Sequence, residues 1–491
     1  MNPILAPMNL KKHAWLLVLI LIIVLATILR LWGIEHESYW LDETISIRQA
    51  QQENYGDTLE LIRHDVHLPL YITLLHFWVK LFGISEFSGR MLSLLFGVTA
   101  VLVCYLLAKE LFNRNVALVS SLLFAISPIM IYYSQETRLY SLFVLLSLTS
   151  FLFYIKFIQS NRLRDFLFYL LFSTLLIYTH LFAFLVILVQ NISAFYVLKN
   201  EILKKWILSQ VILVVLFLPW VTTLINQLGR GQNIVWIQQL SFGMLFGSVL
   251  DLVGNIYVLL IFIGCLIYFF VFDRKTLTQR KVGLLFLWLT IPFILVLTYS
   301  FLFSPLYHTR YLLFVVPAVI IIVSLLLTRI AQTNKVLSYT VLCLIVLVSL
   351  VTVVEQVYHL EKDDWRSVSA YVADNIEGHE YIFINPFYHH DPFTYYFDSH
   401  CFMDEYIHSC NYENHNLLAL TWDADCCHDV TPLTATDDKN VLSSYLNETV
   451  WLISVREQIH NVSLFDYFND TMILETSREF GDIKIYKFEK K

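Results

Sequence analysis

The chain has 491 residues, 57% of them hydrophobic and 15% charged, with a formal charge of −7. A soluble fold of that composition would leave large apolar patches in water, and an acidic balance does not suggest a nucleic-acid partner. The apolar residues run in continuous stretches close to bilayer thickness, about 20 residues. They do not alternate, so the expected architecture is an all-α polytopic membrane protein rather than a barrel.

Lys11 and Lys12 precede a first span at 14–33. That run is too long for a signal-peptide core, and no small-residue cleavage site follows it. The two lysines put the N-terminus on the cytoplasmic side, so the polar loop at 35–66 emerges outside. The run at 68–82 is short for a crossing. If it crossed, Lys109 and Arg114 would lie outside, so it reads as an interfacial or re-entrant helix on the outer face. Ten further runs then alternate: 91–108, 116–133, 139–154, 166–178, 181–198, 206–225, 242–272, 282–303, 311–327 and 336–357. This predicts eleven crossings. Lys156, Arg162 and Arg164, then Lys199, Lys204 and Lys205, then Arg274, Lys275, Arg280 and Lys281, and finally Arg329 and Lys335 all fall on the cytoplasmic side.

Two domains are expected, 1–358 in the membrane and 359–491 outside it. Residues 361–491 hold 9 Lys/Arg against 24 Asp/Glu. Strand-like runs at 381–384, 450–454 and 483–486, between helical stretches, predict a small α/β fold. Cys104, Cys265 and Cys343 sit in apolar runs and read as packing residues. Cys401, Cys410, Cys426 and Cys427 cluster in the polar tail. Two disulfides in an oxidising compartment are one reading. Zinc with His400, His408 or His428 is the other, although no CxxC spacing accompanies it. Asn447, Asn461 and Asn469 begin glycosylation sequons that chance explains as easily as use.

With this topology, the outer ends of the helices collect the functional groups. Asp42 and Glu43 follow the first span, and His67 precedes Pro69. Arg90 opens the second span. Glu136, Arg138 and Tyr140 follow the third, His180 lies in a short turn, and Arg310 and Tyr311 open the tenth. Ionisable groups at membrane depth are costly and face a cavity or one another. Adjacent carboxylates of restricted solvation can supply a general base. Arginines can fork onto phosphate oxygens and stabilise a leaving phosphate. Together they point to group transfer from a lipid phosphate. Each residue also has a plainer reading. Asp42 and Glu43 could be a solvated first helical turn, Arg90 could pair with Glu86 four residues earlier, and Arg138 could snorkel to headgroups. His67 and His180 are ordinary interfacial residues on that reading, and Arg310 is an anchor. A transporter or flippase is the rival class, but the inverted repeats and interrupted midplane helices common in transporters are not evident in the sequence.

Several motifs carry a resemblance. Trp40-Leu41-Asp42-Glu43 is followed by His67-Leu68-Pro69-Leu70-Tyr71, then Phe82-Gly83-Ile84-Ser85-Glu86 with Arg90. Gln135-Glu136-Thr137-Arg138-Leu139-Tyr140 comes next, then Tyr178-Thr179-His180, Arg310-Tyr311 with Pro317, and Asp363-Asp364-Trp365-Arg366. In order and spacing this resembles the GT-C-fold glycosyltransferases that use polyprenyl-phosphate sugars, and most closely the protein O-mannosyltransferase and lipid A aminoarabinose transferase branch. The resemblance covers the first two thirds of the chain and the start of the tail. It implies a GT-C-like bundle of about 11 transmembrane helices with outer interfacial helices and a small C-terminal α/β domain. It also implies inverting transfer from a dolichyl- or undecaprenyl-phosphate sugar on the extracytoplasmic face of the cell membrane. Asp42 would be the base, assisted by Glu43, with Glu136 and Arg138 near the donor phosphate. The β-trefoil insert of eukaryotic protein mannosyltransferases has no loop here to hold it. The acceptor therefore stays open among a lipid-linked glycan, a glycolipid and a protein. There is no evident metal triad, and a divalent ion on Asp42, Glu43 or a histidine is neither required nor ruled out by the sequence.

Overall fold

The computed structural model describes residues 10–197, 200–229, 239–359, 362–377, 380–398, 402, 415–423, 426–434, 442, 446, 448–455 and 464–491. It divides into two units, Met1–Ile34 with Gln52–His359, and Glu35–Gln51 with Leu360–Lys491. Residues 35–51 therefore cluster with the tail, where the sequence suggested a single cut at 358/359.

The first unit opens with α1 (Leu10–Leu31), and α2 (Leu41–Ala50) belongs to the second unit. The first unit continues with α3 (Tyr55–His64), α4 (Leu70–Phe82), α5 (Glu86–Leu111), α6 (Arg114–Ala125), α7 (Pro128–Tyr132), α8 (Tyr140–Ser160), α9 (Leu163–Ile177) and α10 (Ala183–Val197). Then come α11 (Asn200–Gly229), α12 (Phe242–Val253), α13 (Ile256–Phe272), α14 (Arg274–Leu277), α15 (Arg280–Leu302), a 3-10 turn at Thr309–Val315, α16 (Val316–Thr333) and α17 (Lys335–Tyr358). Among the described residues, seven helices are long and apolar enough to cross a bilayer, or eight if α12 and α13 count as one span. This is a multi-pass membrane fold.

Exposure sorts the helices. The best 18-residue window of α8 is 83% buried and that of Thr309–Thr333 is 89% buried, against 22% for α11 and for α17. On the outer helices Leu21, Val214, Leu218, Phe270, Ile294 and Leu347 stand exposed. Apolar side chains outside and polar ones inside is the arrangement a lipid solvent favours. Inside, Ser150 and Ser173 hydroxyls lie 2.9 Å apart, Gln190 donates to Ser150 at 2.9 Å, and Tyr169 donates to Gln190 at 3.1 Å. These bonds tie α8, α9 and α10 together without water.

Four predicted crossings take a different form. The run 242–272 is not one straight helix, because α12 and α13 meet at 79°. Gly254 sits at φ +115, which a side-chain-bearing residue rarely adopts, and the Asn255 side chain accepts from the Val258 amide to start the next helix. The run 116–133 breaks where Pro128 opens α7 and so cannot continue α6. The runs at 166–178 and 181–198 become α9 and α10, each 15 residues or about 22 Å of helix. The interfacial candidate at 68–82 is α4, 13 residues long.

The second unit holds α2, α18 (Trp365–Asn375), β1 (Glu380–Asn385), α19 (His390–Phe397), β2 (His415–Asp423), β3 (Cys426–Thr434), β4 (Thr449–Val455), α20 (Leu464–Thr471), β5 (Ile473–Phe480) and β6 (Ile483–Glu489). The six strands run in the order β3-β2-β1-β4-β6-β5. β1 and β4 are parallel, with Ile382 opposite Trp451, and the other neighbours are antiparallel. Strand alternation gives the sheet two buried faces. Ile382, Ile384, Trp451, Ile453, Ile483 and Ile485 pack with Trp365 and Val368 of α18 and Phe393 of α19. Phe383, Val450, Leu452 and Phe488 pack with Leu464 and Phe468 of α20. The three predicted strand runs are β1, β4 and β6.

Cys401, Cys410, His400, His408, Lys199, Asn447 and Asn461 lie outside the described residues. Cys426 and Cys427 take backbone positions opposite Asp423 and Trp422 of β2.

Candidate active site

In the first unit the site is built on the turn between α7 and α8. Ser134 and Gln135 amides close back on Ile131 and Tyr132, and the Arg138 amide bonds to the Glu136 carbonyl at 2.7 Å. The turn is held from α1. Arg30, fully buried, donates through Nε to Ser134 at 3.2 Å and through Nη1 to the Ala125 carbonyl at 2.9 Å. Gln135 returns two bonds, to the Arg30 and Trp32 carbonyls. From α5, Ser93 donates to the Arg138 carbonyl at 3.0 Å, and its hydroxyl lies 2.9 Å from that of Tyr71. Gly97 fits this packing because a Cβ there would press into Ser134. Glu136, Thr137 and Arg138 are buried as a result.

Arg138 Nη2 lies 2.9 Å from His67 Nε2, and His67 Nδ1 lies 3.1 Å from the Asp65 carboxylate. A guanidinium can only donate. His67 Nε2 therefore accepts, and Nδ1 carries the proton that faces Asp65. Gln227 of α11 reaches the Ile62 and His67 carbonyls and holds that loop. Asp65, His67 and Arg138 thus form one line ending on a fixed cation.

His180 sits in the turn between α9 and α10. Its Nδ1 accepts from the Phe182 amide at 3.0 Å, so the neutral ring presents Nε2–H. The ring stacks on Phe143 at 4.9 Å and lies 5.3 Å from Tyr311. Burial, followed by the neighbouring guanidiniums of Arg310 and Arg138, pulls the imidazole down to about 3. It stays uncharged at neutral pH, as a donor among cations. Arg310 is buried at the start of the 3-10 turn, over Tyr140 at 5.8 Å and Tyr311 at 5.7 Å. Tyr133, 5.1 Å from Tyr140, lies within electrostatic reach of Glu136, Arg310 and Asp251. His67, Arg138, His180, Arg310, Tyr140, Tyr311 and Glu136 are therefore neighbours within this unit. Arg90 has a structural task beside them, since its Nη1 donates to the Ile34 carbonyl at 2.7 Å and fixes the exit of the first span.

The acid pair belongs to the second unit, in the first turn of α2. Adjacent helical residues point about 100° apart, and the two carboxylates differ accordingly. Asp42 is half-buried. Glu43 is wholly buried and lies 3.2 Å from Lys362 Nζ. Among the described residues, no group of three or more His, Cys, Asp or Glu side chains could hold a metal ion.

Sequence reasoning passed over Lys362, Arg30 and Asp251. Lys362 meets Glu43 across 319 positions, a separation with no local signature. Arg30 lies in the last turn of the apolar helix α1. Asp251 did carry a signal, a lone carboxylate in the otherwise apolar helix α12.

A family model described as dolichyl-phosphate-mannose-protein mannosyltransferase matches residues 66–225. That stretch holds His67, Arg90, Glu136, Arg138, Tyr140 and His180, and excludes Asp42, Glu43 and Arg310. No curated protein sequence matches the chain. Among solved structures, ArnT from Cupriavidus metallidurans in the apo state aligns over 97% of this chain and 98% of its own, at 11% identity and TM-score 0.63. The same enzyme bound to undecaprenyl phosphate aligns over the same shares at 10% identity and TM-score 0.61. The apo oligosaccharyltransferase of Archaeoglobus fulgidus aligns over 79% of this chain and 64% of its own, at 11% identity and TM-score 0.52. At these identities the likeness is one of fold.

Proposed function

We propose that this chain, a multi-pass membrane protein with the GT-C glycosyltransferase fold, moves a sugar from a polyprenyl phosphate to an acceptor hydroxyl. The acceptor is a lipid-linked glycan, a glycolipid or a protein, and the reaction takes place on the extracytoplasmic face of the cell membrane. The N-terminus is cytoplasmic and the sheet-bearing unit is extracytoplasmic.

The observation that carries this reading is a pair of buried guanidiniums, Arg138 at 2.9 Å from His67 and Arg310 over the Tyr311 ring, with that ring also 5.3 Å from the neutral His180. A phosphate-sized anion is the ligand such a group suits. The donor is a phosphodiester with one negative charge. When the anomeric C1–O bond breaks, the electron pair leaves on the phosphate, which becomes a dianionic monoester. Cations and an Nε2–H donor therefore stabilise the departing phosphate more than the bound donor, and that difference accelerates reaction. The acceptor oxygen attacks C1 from the opposite face, which inverts the configuration, and its proton passes to the Asp42 carboxylate.

The test uses purified full-length protein with labelled dolichyl-phosphate mannose. Transfer to an added lipid or peptide hydroxyl, with stoichiometric release of dolichyl phosphate, is the expected result. Asp42→Asn should lose it while still retaining undecaprenyl phosphate in native mass spectra. Undiminished turnover by Asp42→Asn would remove Asp42 as the base.

A further inference from the structure

The neighbouring carboxylates Asp42 and Glu43 have different surroundings. Asp42, second in α2, is half-buried and its backbone carbonyl accepts from the Ser46 hydroxyl at 2.9 Å. Glu43, third in α2, has no exposed surface. Its Oε2 is 3.2 Å from Lys362 Nζ, and the Lys362 side chain is itself only 6% exposed. A buried carboxylate is strongly disfavoured unless a cation accompanies it, and removing one partner leaves the other uncompensated. Glu43 and Lys362 thus form a buried ion pair.

Lys362 is held where this pairing needs it. Its amide donates to Glu37 at 3.1 Å, and its Nζ lies 4.0 Å from the other Glu37 oxygen. The Ser38 hydroxyl donates to the Asp363 carbonyl at 2.8 Å and accepts from the Trp365 amide at 3.2 Å. The Arg366 guanidinium reaches the Glu35 carbonyl at 3.2 Å. Further along, Tyr396 accepts from the Tyr39 amide at 2.6 Å, and Arg48 pairs with Asp391 at 2.9 Å. Residues 35–51 are therefore fastened to 362–366 and to α19 at both ends of the acidic motif.

We propose that Lys362 is a positioning residue: its buried ion pair with Glu43 fixes the first turn of α2 and so sets where the neighbouring Asp42 carboxylate is presented to the acceptor proton. The acidic tail then has a task in the reaction, since it supplies the partner of a residue in the first loop. This rests on the sugar-transfer reading for its kinetic consequence but not for the pairing itself, and two measurements separate them.

The first needs no turnover. Carbodiimide labelling of the full-length protein, read by peptide mass spectrometry, should modify Asp42 and spare Glu43. In Lys362→Met, Glu43 should become labelled. Equal labelling of the two residues in the wild type would overturn the proposal whatever the protein catalyses. The second is a double-mutant cycle in kcat with dolichyl-phosphate mannose. Lys362→Met is expected to lower kcat at least tenfold with little change in KM, and Lys362→Arg should stay within about threefold of wild type. Glu43→Gln with Lys362→Met removes both charges of the pair and so guards against loss of the fold through a single stranded charge. Its kcat should exceed the product of the two single effects by at least tenfold. Additive losses, or wild-type kcat in Lys362→Met, would overturn the proposal. A wild-type protein that labels as expected but transfers no sugar would instead count against the enzymatic reading alone.

Discussion

Arg138→Gln is the sharpest perturbation of the phosphate-binding half. The guanidinium lies 2.9 Å from the accepting nitrogen of His67, and the backbone at Arg138 is fixed by Ser93. In the proposed step the phosphate gains one unit of negative charge. At a contact of about 4 Å and an effective dielectric near 20, an added charge pair is worth about 4 kcal/mol. Loss of one preorganised donor at a developing anion costs about 100- to 1,000-fold in kcat, and the two figures agree. Arg138→Gln should therefore lower kcat by that factor with a smaller effect on donor KM, because the bound phosphodiester carries its single charge before and after the change. Arg138→Lys keeps the charge without the fork and should lose roughly tenfold. The assay is steady-state transfer from dolichyl-phosphate mannose, with undecaprenyl phosphate binding followed in parallel. A variant whose KM rises while kcat holds would refute the reasoning, since it would mean that Arg138 binds donor and transition state equally.

His180 carries a pH signature. Its folded-state value, pulled down to about 3, lies below the unfolded value near 6.5. The unfolded chain binds the extra proton, so the contribution is present above pH 6.5 and is lost as pH falls toward 3. Thermal unfolding of His180→Gln should depend less on pH in that window than wild type, and an unchanged slope would refute this. Gly97→Ala places a methyl against Ser134 and 3.1 Å from Arg30 Nε. Overpacking of this kind costs about 1–3 kcal/mol, so a lower unfolding midpoint and reduced transfer are expected, and a wild-type midpoint would show that the turn yields. Trp451→Ala empties a fully buried site in the sheet and should cost about 3–5 kcal/mol. Limited proteolysis should then cut within 362–491 before the helical unit.

Much of the site could be read from the sequence because its signals are local. Glu136 and Arg138 sit in one short turn after an apolar run, and His180 in another. Each is an ionisable residue where a membrane helix changes direction, which composition alone marks as unusual. β1, β4 and β6 were legible for a related reason. Each places β-branched or aromatic residues at its centre, Ile382-Phe383-Ile384, Val450-Trp451 and Ile485-Tyr486, in a sheet buried on both sides. The break at Gly254-Asn255 was harder to see, because a glycine and a capping asparagine interrupt the apolar run for only two residues while the helix axis turns by 79°. Arg30 was hidden in a different way. By sequence it ends a basic-tipped helix, and only the packing shows its guanidinium turned inward onto Ser134 and Ala125.

The acidic motif shows where sequence reading stops. Asp42 and Glu43 are chemically near-equivalent neighbours, and no property of α2 alone distinguishes them. They diverge because one faces a lysine 319 residues away and the other does not share its burial. A partner at that distance has no periodicity, spacing or composition to announce it, and Lys362 lies in a segment whose overall charge is strongly negative. The same physics operates around His180, where burial and two neighbouring guanidiniums hold an imidazole neutral. In both places a group's protonation state follows from what the fold packs around it. Exchanging Glu43 for Gln should therefore perturb the protein very differently from exchanging Asp42 for Asn, although the sequence presents the two changes as equivalent.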